Sequence, residues 1–305
     1  MKLVRSAVLA ALLVVGTVAP VGAQAPDGEG YWLLASDGGV FAFGGAPFLG
    51  PHVPLACEPQ PTPGSPVRPG DRNVCSDIAA TPSGNGYWVV DRFCHVHPFG
   101  DATHLGERRS TRDPLDLLDD CSIGVHPSGG GYWLAWSTGQ VLAFGDAAHL
   151  GDLVGDPGAP GSGVPGRHRP VVDLVPTASG SGYWLVTADG GVFAFGDARF
   201  HGSLGGVRLN APVVGAVRSP GDGYWLTAAD GGVFAFGDAA FRGSMGGVRL
   251  HSPVTGAAAP STADGYRLVA ADGGVFAFGD AAFRGSMGGR PLVAPVVAMT
   301  ESGGG

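Results

Sequence analysis

The sequence predicts an all-β protein, a six-bladed β-propeller of four-stranded blades closed by its own C-terminal strand. Three observations predict it. One Gly-Tyr motif recurs six times along the 305 residues, the strands it opens are apolar on both faces, and one strand is missing from the first copy and spare after the last.

The motif opens at Tyr31, Tyr87, Tyr132, Tyr183, Tyr224 and Tyr266, which are all six tyrosines of the chain, each preceded by glycine. Tryptophan follows in five copies (Trp32, Trp88, Trp133, Trp184, Trp225) and Arg267 in the last. Spacings of 56, 45, 51, 41 and 42 residues define a unit of about 41, with insertions in the first three copies. Self-similarity at such a period is the mark of a repeat architecture.

The cleanest copy runs from Pro212 to Gly247 and sets the expected elements. Val213–Val217 reads as strand A, ended by Ser219-Pro220-Gly221-Asp222. Tyr224–Ala228 reads as strand B, ended by Asp230-Gly231, a two-residue hairpin signal of the type I′ kind. Val233–Phe236 is strand C, and the more polar Ala240–Met245 is strand D on the outer rim. No window after the N-terminal segment carries a 3.6-residue apolar period, so helices are not expected.

Strands B and C, as in Tyr183-Trp184-Leu185-Val186 and Val192-Phe193-Ala194-Phe195, are apolar at successive positions. A sheet with one wet face alternates apolar with polar. These strands must therefore be covered on both sides, as in a radial stack of small sheets. The first copy has no strand A before Tyr31, whereas Ala294–Met299 follows the last strand D. Pairing Pro295–Met299 with Tyr31–Ala35 would complete a blade and remove two bare edges. The expected domain is a single propeller over residues 26–305, with repeats starting near 30, 86, 131, 182, 223 and 265.

Residues 1–23 read as a signal peptide: Lys2 and Arg5, then an apolar run over Ala7–Val18, then small residues allowing cleavage after Ala23 or Ala25. Nothing later reaches the length of an apolar membrane span. The expected location is secreted, extracellular or cell-wall associated, without membrane insertion. Without Lys2 and Arg5 the formal charge moves from −8 to −10, which argues against non-specific attraction to nucleic acid.

Four cysteines in a secreted chain imply two disulfides. Cys57–Cys75 with Cys94–Cys121 closes the shortest loops. Cys75–Cys94 is a competitor, because the start of strand A lies beside the B–C turn in this repeat.

Candidate chemistry is sparse. Asp37, Asp189, Asp230 and Asp272 fit hairpin turns better than a ring of ligands. Asp101, Asp146, Asp197, Asp238 and Asp280 of the Gly-Asp-Ala turns are expected to accept backbone N–H bonds. The Tyr-Trp pairs fit a core better than sugar-stacking platforms. In the second copy His95 and His97 share a strand face, a weak candidate metal pair, since a site needs three or four ligands. His97, His104 and His149 stand where other copies carry phenylalanines expected in the core. Gly161–Gly166 matches a dinucleotide fingerprint but has no βαβ context. No Gly-x-Ser-x-Gly or His-Glu-x-x-His motif occurs, and no cofactor is expected.

The repeat resembles one found in secreted actinobacterial proteins, with copies close to Gly-Tyr-Trp-Leu-Val-Ala-Ser-Asp-Gly-Gly-Val-Phe-Ala-Phe-Gly-Asp-Ala. Gly182–Ala198 and Gly223–Ala239 match it nearly residue for residue, and the second and third copies depart most. The resemblance implies a secreted propeller, in a family often carried beside extracellular hydrolase or cell-wall domains.

Three D–A segments do not recur: 51–73, 107–120 and 151–169. Loops on a rigid scaffold are where binding concentrates, so Arg108, Arg109, Arg112, Arg167, His168 and Arg169 are the candidate binding residues. The expected function is a non-catalytic, monomeric binding module for an extracellular protein or cell-wall glycan. The alternatives are a multivalent lectin and a glycan-active enzyme working at the central channel.

Overall fold

The computed structural model describes residues 28–50, 74–107, 120–154, 170–260 and 264–303, which hold eighteen strands. They are β1 (Gly30–Ala35), β2 (Val40–Gly44), β3 (Cys75–Ala80), β4 (Gly86–Asp91), β5 (Val96–Gly100), β6 (Cys121–Val125), β7 (Gly131–Trp136), β8 (Val141–Gly145) and β9 (Val171–Pro176). There follow β10 (Gly182–Thr187), β11 (Val192–Gly196), β12 (Val213–Arg218), β13 (Tyr224–Ala228), β14 (Val233–Phe236), β15 (Val254–Ala258), β16 (Gly265–Ala270), β17 (Val275–Gly279) and β18 (Val296–Glu301).

These strands form six antiparallel sheets of three: β18-β1-β2, then β3-β4-β5, β6-β7-β8, β9-β10-β11, β12-β13-β14 and β15-β16-β17. They are numbered sheets 1 to 6. The tail strand pairs with the head strand, from Tyr31 opposite Glu301 to Ala35 opposite Val296. The A strands touch in the succession β18, β3, β6, β9, β12, β15, and β15 touches β18 again.

The middle strand of every sheet is buried along its whole length. Its two faces pack on two different neighbours, which is why it is apolar at most positions, with Asp91, Thr187, Thr227 and Arg267 as buried exceptions. Each of the five motif Trp rings meets the Tyr of the next sheet, with centroids 5.1 to 5.7 Å apart in a tilted geometry. Both rings are at most 2% exposed, so these pairs are core. The glycine before each tyrosine has a separate cause: a Cβ on Gly30, Gly131 or Gly182 would strike the backbone of the turn that follows strand C.

Among the described residues the fourth strand is not formed, and every sheet has three. Ala240–Met245 shows the reason. Ala240 O accepts the Trp225 indole N–H (2.9 Å), Arg242 N donates to the Tyr266 hydroxyl (3.2 Å), and that hydroxyl donates to Gly243 O (2.5 Å). Met245 N donates to Gly231 O (2.9 Å). With its polar groups taken by its own sheet's Trp and the next sheet's Tyr, the segment is a strap between sheets. Strand C is then the outer edge, and only its first residue is buried, against the expectation that it is covered on both faces.

Two turn expectations also change. The B–C turns are not type I′, because Cys94 is the one non-glycine of positive φ among the described residues. Gly38 N bonds Ala35 O (2.9 Å) around Ser36-Asp37, and Gly38 follows at φ +85°, a type I turn with a left-handed third residue. Two of the Gly-Asp-Ala carboxylates accept hydroxyls of the A–B turn, Asp101 from Thr81 (2.8 Å) and Ser83 (2.5 Å) and Asp197 from Thr177 (3.0 Å) and Ser179 (2.6 Å), whereas Asp238 takes the expected backbone bonds, from Asp222 N (2.9 Å) and Gly223 N (2.7 Å).

Cys94 bonds Cys121, Cα atoms 5.4 Å apart, tying the sheet 2 turn to the first residue of β6. Cys75 is disulfide-bonded as well, so the competing Cys75–Cys94 pairing is excluded; Cys57 lies outside the described residues. Cys94 has φ +61°, where the other repeats use glycine, a conformation that strains an L-residue by about 1–2 kcal/mol. Closing a loop of this span is worth about 3–4 kcal/mol by the chain-entropy estimate. Replacing both cysteines by serine should therefore destabilise by about that amount. Cys94→Gly with Cys121→Ser should recover about 1 kcal/mol of it, read as urea midpoints of the two variants.

Candidate functional site: the central channel

The A strands enclose a channel with a cavity of about 350 Å3 at each end. One end is lined by Val74, Asp120 and Pro170, where the three inserted segments re-enter the fold; the other by Pro82 and Pro127 of the A–B turns and by Arg218 at the end of β12. Asp77, Asp173, Ala257 and Met299 line both cavities and mark the waist.

Asp77 and Asp173 occupy the same place in β3 and β9, just after the bulge that opens each strand. Gly215 and Gly256 stand there in sheets 5 and 6. Asp77 accepts Ile78 N (2.8 Å) and, from the next sheet, Ile123 N (3.0 Å). Asp173 accepts Ala216 N of the next sheet (2.8 Å). Each carboxylate thus caps an amide of the neighbouring edge strand. Both are partly exposed by surface area, onto the channel cavities. Burial, then the facing Asp173, push Asp77 up to about 8; burial pushes Asp173 up to about 6.

These are acids whose pKa rises on folding, so the folded state holds more protons than the unfolded one and stability falls as pH rises. The loss runs from about pH 4, the ordinary carboxylate value, to about 8 for Asp77 and about 6 for Asp173. Thermal melts should show Tm decreasing from pH 5 to 8. Asp77→Asn should flatten that slope; an unchanged slope would show the channel acids do not titrate in this window.

A second polar cluster surrounds the B–C turn of sheet 2. Asp91, fully buried, accepts Phe93 N (2.8 Å) and His95 N (3.0 Å) through one oxygen and meets His95 Nδ1 (2.8 Å) through the other. His97 Nε2 lies 3.9 Å from the same oxygen. The hydrogen bond to Asp91 raises the His95 pKa. The shared face of His95 and His97 is therefore real, and what it shares is a carboxylate. Among the described residues no three His, Cys, Asp or Glu side chains are arranged to hold a metal ion.

The strap histidines do not replace core phenylalanines. Phe48, Phe200, Phe241 and Phe283, the counterparts of His104 and His149, are 56–63% exposed. The candidate binding residues Arg108, Arg109, Arg112, Arg167, His168 and Arg169 lie outside the described residues, as do Gly161–Gly166 and residues 1–23.

Sequence reasoning missed Asp77, Asp173 and Asp91. The available signal was an aspartate inside an otherwise apolar strand, as in Val-Val-Asp-Leu-Val, where most sibling repeats carry an uncharged residue such as glycine, alanine or serine. It also missed the seam between sheets 6 and 1. There Arg267, fully buried in the tryptophan position, bonds Ala282 O (2.8 Å) as the tryptophans bond their own straps. Its guanidinium lies 5.0 Å from the Tyr31 ring centroid and bonds both oxygens of Glu301 (2.6 and 2.5 Å). Tyr31 OH donates to Gly285 O (2.5 Å) across the same seam.

No family model matches the sequence, and no curated protein matches it. Among solved structures, a nidogen/laminin complex is similar over 90% of this chain and 98% of that chain, with a TM-score of 0.54 and 12% identity. A structure of YCF48 bound to a D1 peptide is similar over 67% of this chain and 62% of that chain, with a TM-score of 0.40 and 12% identity. With its six sheets and the likeness to the first of these, the chain has the fold class of a β-propeller.

Proposed function

We propose that the protein is a secreted, monomeric, non-catalytic binding module. In this reading the six sheets are the blades of one closed ring, and an extracellular protein or cell-wall glycan is engaged on the face bearing the inserts. The observation that carries it is the convergence of Val74, Asp120 and Pro170 on one mouth of the channel. The three segments that break the repeat therefore return to one end of three consecutive sheets, on a scaffold whose other parts are near-copies. Closure is supported by β18 seated on β1 and by the Tyr31 and Arg267 contacts across the seam. Secretion is supported by the N-terminal pattern, the disulfides and the resemblance to secreted repeats. One solved structure of similar fold is itself described as a nidogen/laminin complex.

The test is to replace 108–119 and 155–169, separately and together, by the compact turn Met245–Leu250 of sheet 5. Wild type and variants are then compared on an array of glycans, peptidoglycan fragments and extracellular proteins. The expected result is an unchanged fold with at least tenfold weaker binding. Binding that survives both replacements undiminished would sink the proposal.

A second reading, a lectin with one site per blade, is favoured by the exposed Phe48, Phe200, Phe241 and Phe283 at equivalent strap positions. It requires several sugars bound per chain, and survival of binding after loop replacement but not after Phe200→Ser with Phe241→Ser.

A further inference from the structure

We propose that the outer rim of the sheets takes up an extended peptide segment of a partner as a fourth strand, in the place strand D leaves empty. This goes beyond the binding reading above, because it concerns the rim and not the insert-side mouth.

Hydrogen-bond direction defines the edge. In an antiparallel pair every second residue turns its N–H and C=O to the partner strand, and the residues between turn theirs away. In sheet 5 Ala228 N bonds Gly232 O (2.8 Å) just ahead of β14. Phe234 and Phe236 therefore face β13, and Val233, Ala235 and Gly237 face outward. The same turn bond, from Ala35 N to Gly39 O, Trp136 N to Gln140 O, Thr187 N to Gly191 O and Ala270 N to Gly274 O, gives β2, β8, β11 and β17 the same phase. The central outward residue is an alanine in all five sheets: Ala42, Ala143, Ala194, Ala235 and Ala277. Each lies on the edge strand of its sheet and is partly exposed. Among the described residues nothing bonds its N–H or its C=O. A row of such groups is what an added strand pairs with.

Sheet 2 is closed to that pairing. Its outward residues are Val96, Pro98 and Gly100, by the same phase from Asp91 N to His95 O. Val96 N donates to Glu107 Oε2 (3.0 Å), and Pro98 has no N–H. An edge proline and a charged side chain are two devices by which sheets refuse a further strand. The other five sheets carry alanine where sheet 2 carries proline.

The straps set what the occupant carries. His201 stands against Gly237 just past β14, Arg242 against Gly279 at the end of β17, and Arg284 against Gly44 at the end of β2. The residues before these three are Phe200, Phe241 and Phe283, exposed by 61, 60 and 56%. Sheets 5, 6 and 1 thus have a bare phenylalanine beside their edges, whereas His104 and His149 precede the leucines against Gly145 and Gly196 of sheets 3 and 4. Main-chain pairing supplies affinity, and the rings select apolar side chains at alternate positions. A strap also lies on each face of β14: Gly202 of one against Phe236, and Ala240 of the other on the Trp225 indole. That flanking favours one free strand over the edge of a whole second sheet, so the occupant is a segment and not a second copy of the chain.

The experiment uses the whole protein and the peptide acetyl-Lys-Val-Thr-Phe-Thr-Val-Lys-amide. Its controls are two counterparts of equal charge, N-methylated at the odd or at the even residues. Calorimetry should give a dissociation constant of about 0.1–1 mM. One N-methylated peptide should lose binding and the other keep it, because a strand pairs through one edge. Amide exchange at Ala235 and Ala277 should slow about tenfold at saturation, a measurement on wild type that needs no variant. Ala42→Pro, Ala235→Pro and Ala277→Pro together, which copy Pro98, should weaken uptake at least fivefold. Equal binding by all three peptides, unchanged exchange at the two alanines, or undiminished uptake by the triple variant would overturn the proposal. Self-association that the prolines abolish, without peptide uptake, would make a second copy the occupant and overturn it too. Replacing 108–119 and 155–169 should leave peptide uptake unchanged, so failure at the rim and failure of the insert face are told apart.

Discussion

Arg267→Trp should destabilise the protein by about 3–5 kcal/mol, although it restores the residue found in the other five repeats. The cause is Glu301. It faces Tyr31 in the register, where sheets 2 to 5 carry Ala80, Val125, Pro176 and Arg218. Its carboxylate is 8% exposed and takes both of its bonds from Arg267. Burial pushes its pKa up to about 7 even with the guanidinium beside it. With tryptophan at 267 the carboxylate loses its counter-charge and must protonate or draw in water. Arg267→Trp with Glu301→Ala should return stability to the wild-type level or above it, since it converts the seam into the Trp–Tyr interface the other sheets use. A denaturation cycle over the four proteins measures the coupling. If Arg267→Trp alone is neutral, the ion pair does not hold the seam.

Deleting residues 292–305 should have the larger consequence, loss of the cooperative fold rather than a shift in its midpoint. The deletion removes β18, whose Val296, Ala298 and Met299 are buried. Burying a valine or methionine side chain is worth about 1.5–3 kcal/mol each. The deletion also strips the ladder from one edge of β1 and exposes the channel-facing edges of its neighbours. Against a typical net stability of about 5–15 kcal/mol, these losses together are decisive. The check is a circular dichroism melt alongside size exclusion. A monomer that melts at the wild-type temperature would show that β1 does not need its tail partner.

Much of the fold was legible in the chain because the repeats annotate one another. Six Gly-Tyr motifs placed six middle strands, and the unmatched tail segment Ala294–Met299 found its place against β1 by counting. The Cys94–Cys121 pairing was one of two open options and the structure selected it. The site was far less legible. The histidine pair was visible as a period-2 spacing, but its carboxylate partner Asp91 sits at the end of β4, across the hairpin turn from both.

What the sequence determined by itself is the set of things local pattern can carry: all-β class, strands A, B and C, inter-sheet burial of the Tyr-Trp pairs, and a tail strand in need of a partner. In the middle strands apolar residues on both faces found two covering surfaces, whereas the same pattern in strand C did not keep it from the outer edge. What only the tertiary structure decided is what those surfaces do with their polar groups. The segment read as a fourth strand became a strap because a tyrosine of the next sheet, 23 residues on, takes its carbonyl. Arg267 became a seam residue because Glu301 returns to it from 34 residues away. Asp77 and Asp173 face each other because sheets fold around a common channel. Hydrogen bonds and charges are directional and short-ranged, so their partners are fixed by where distant strands arrive.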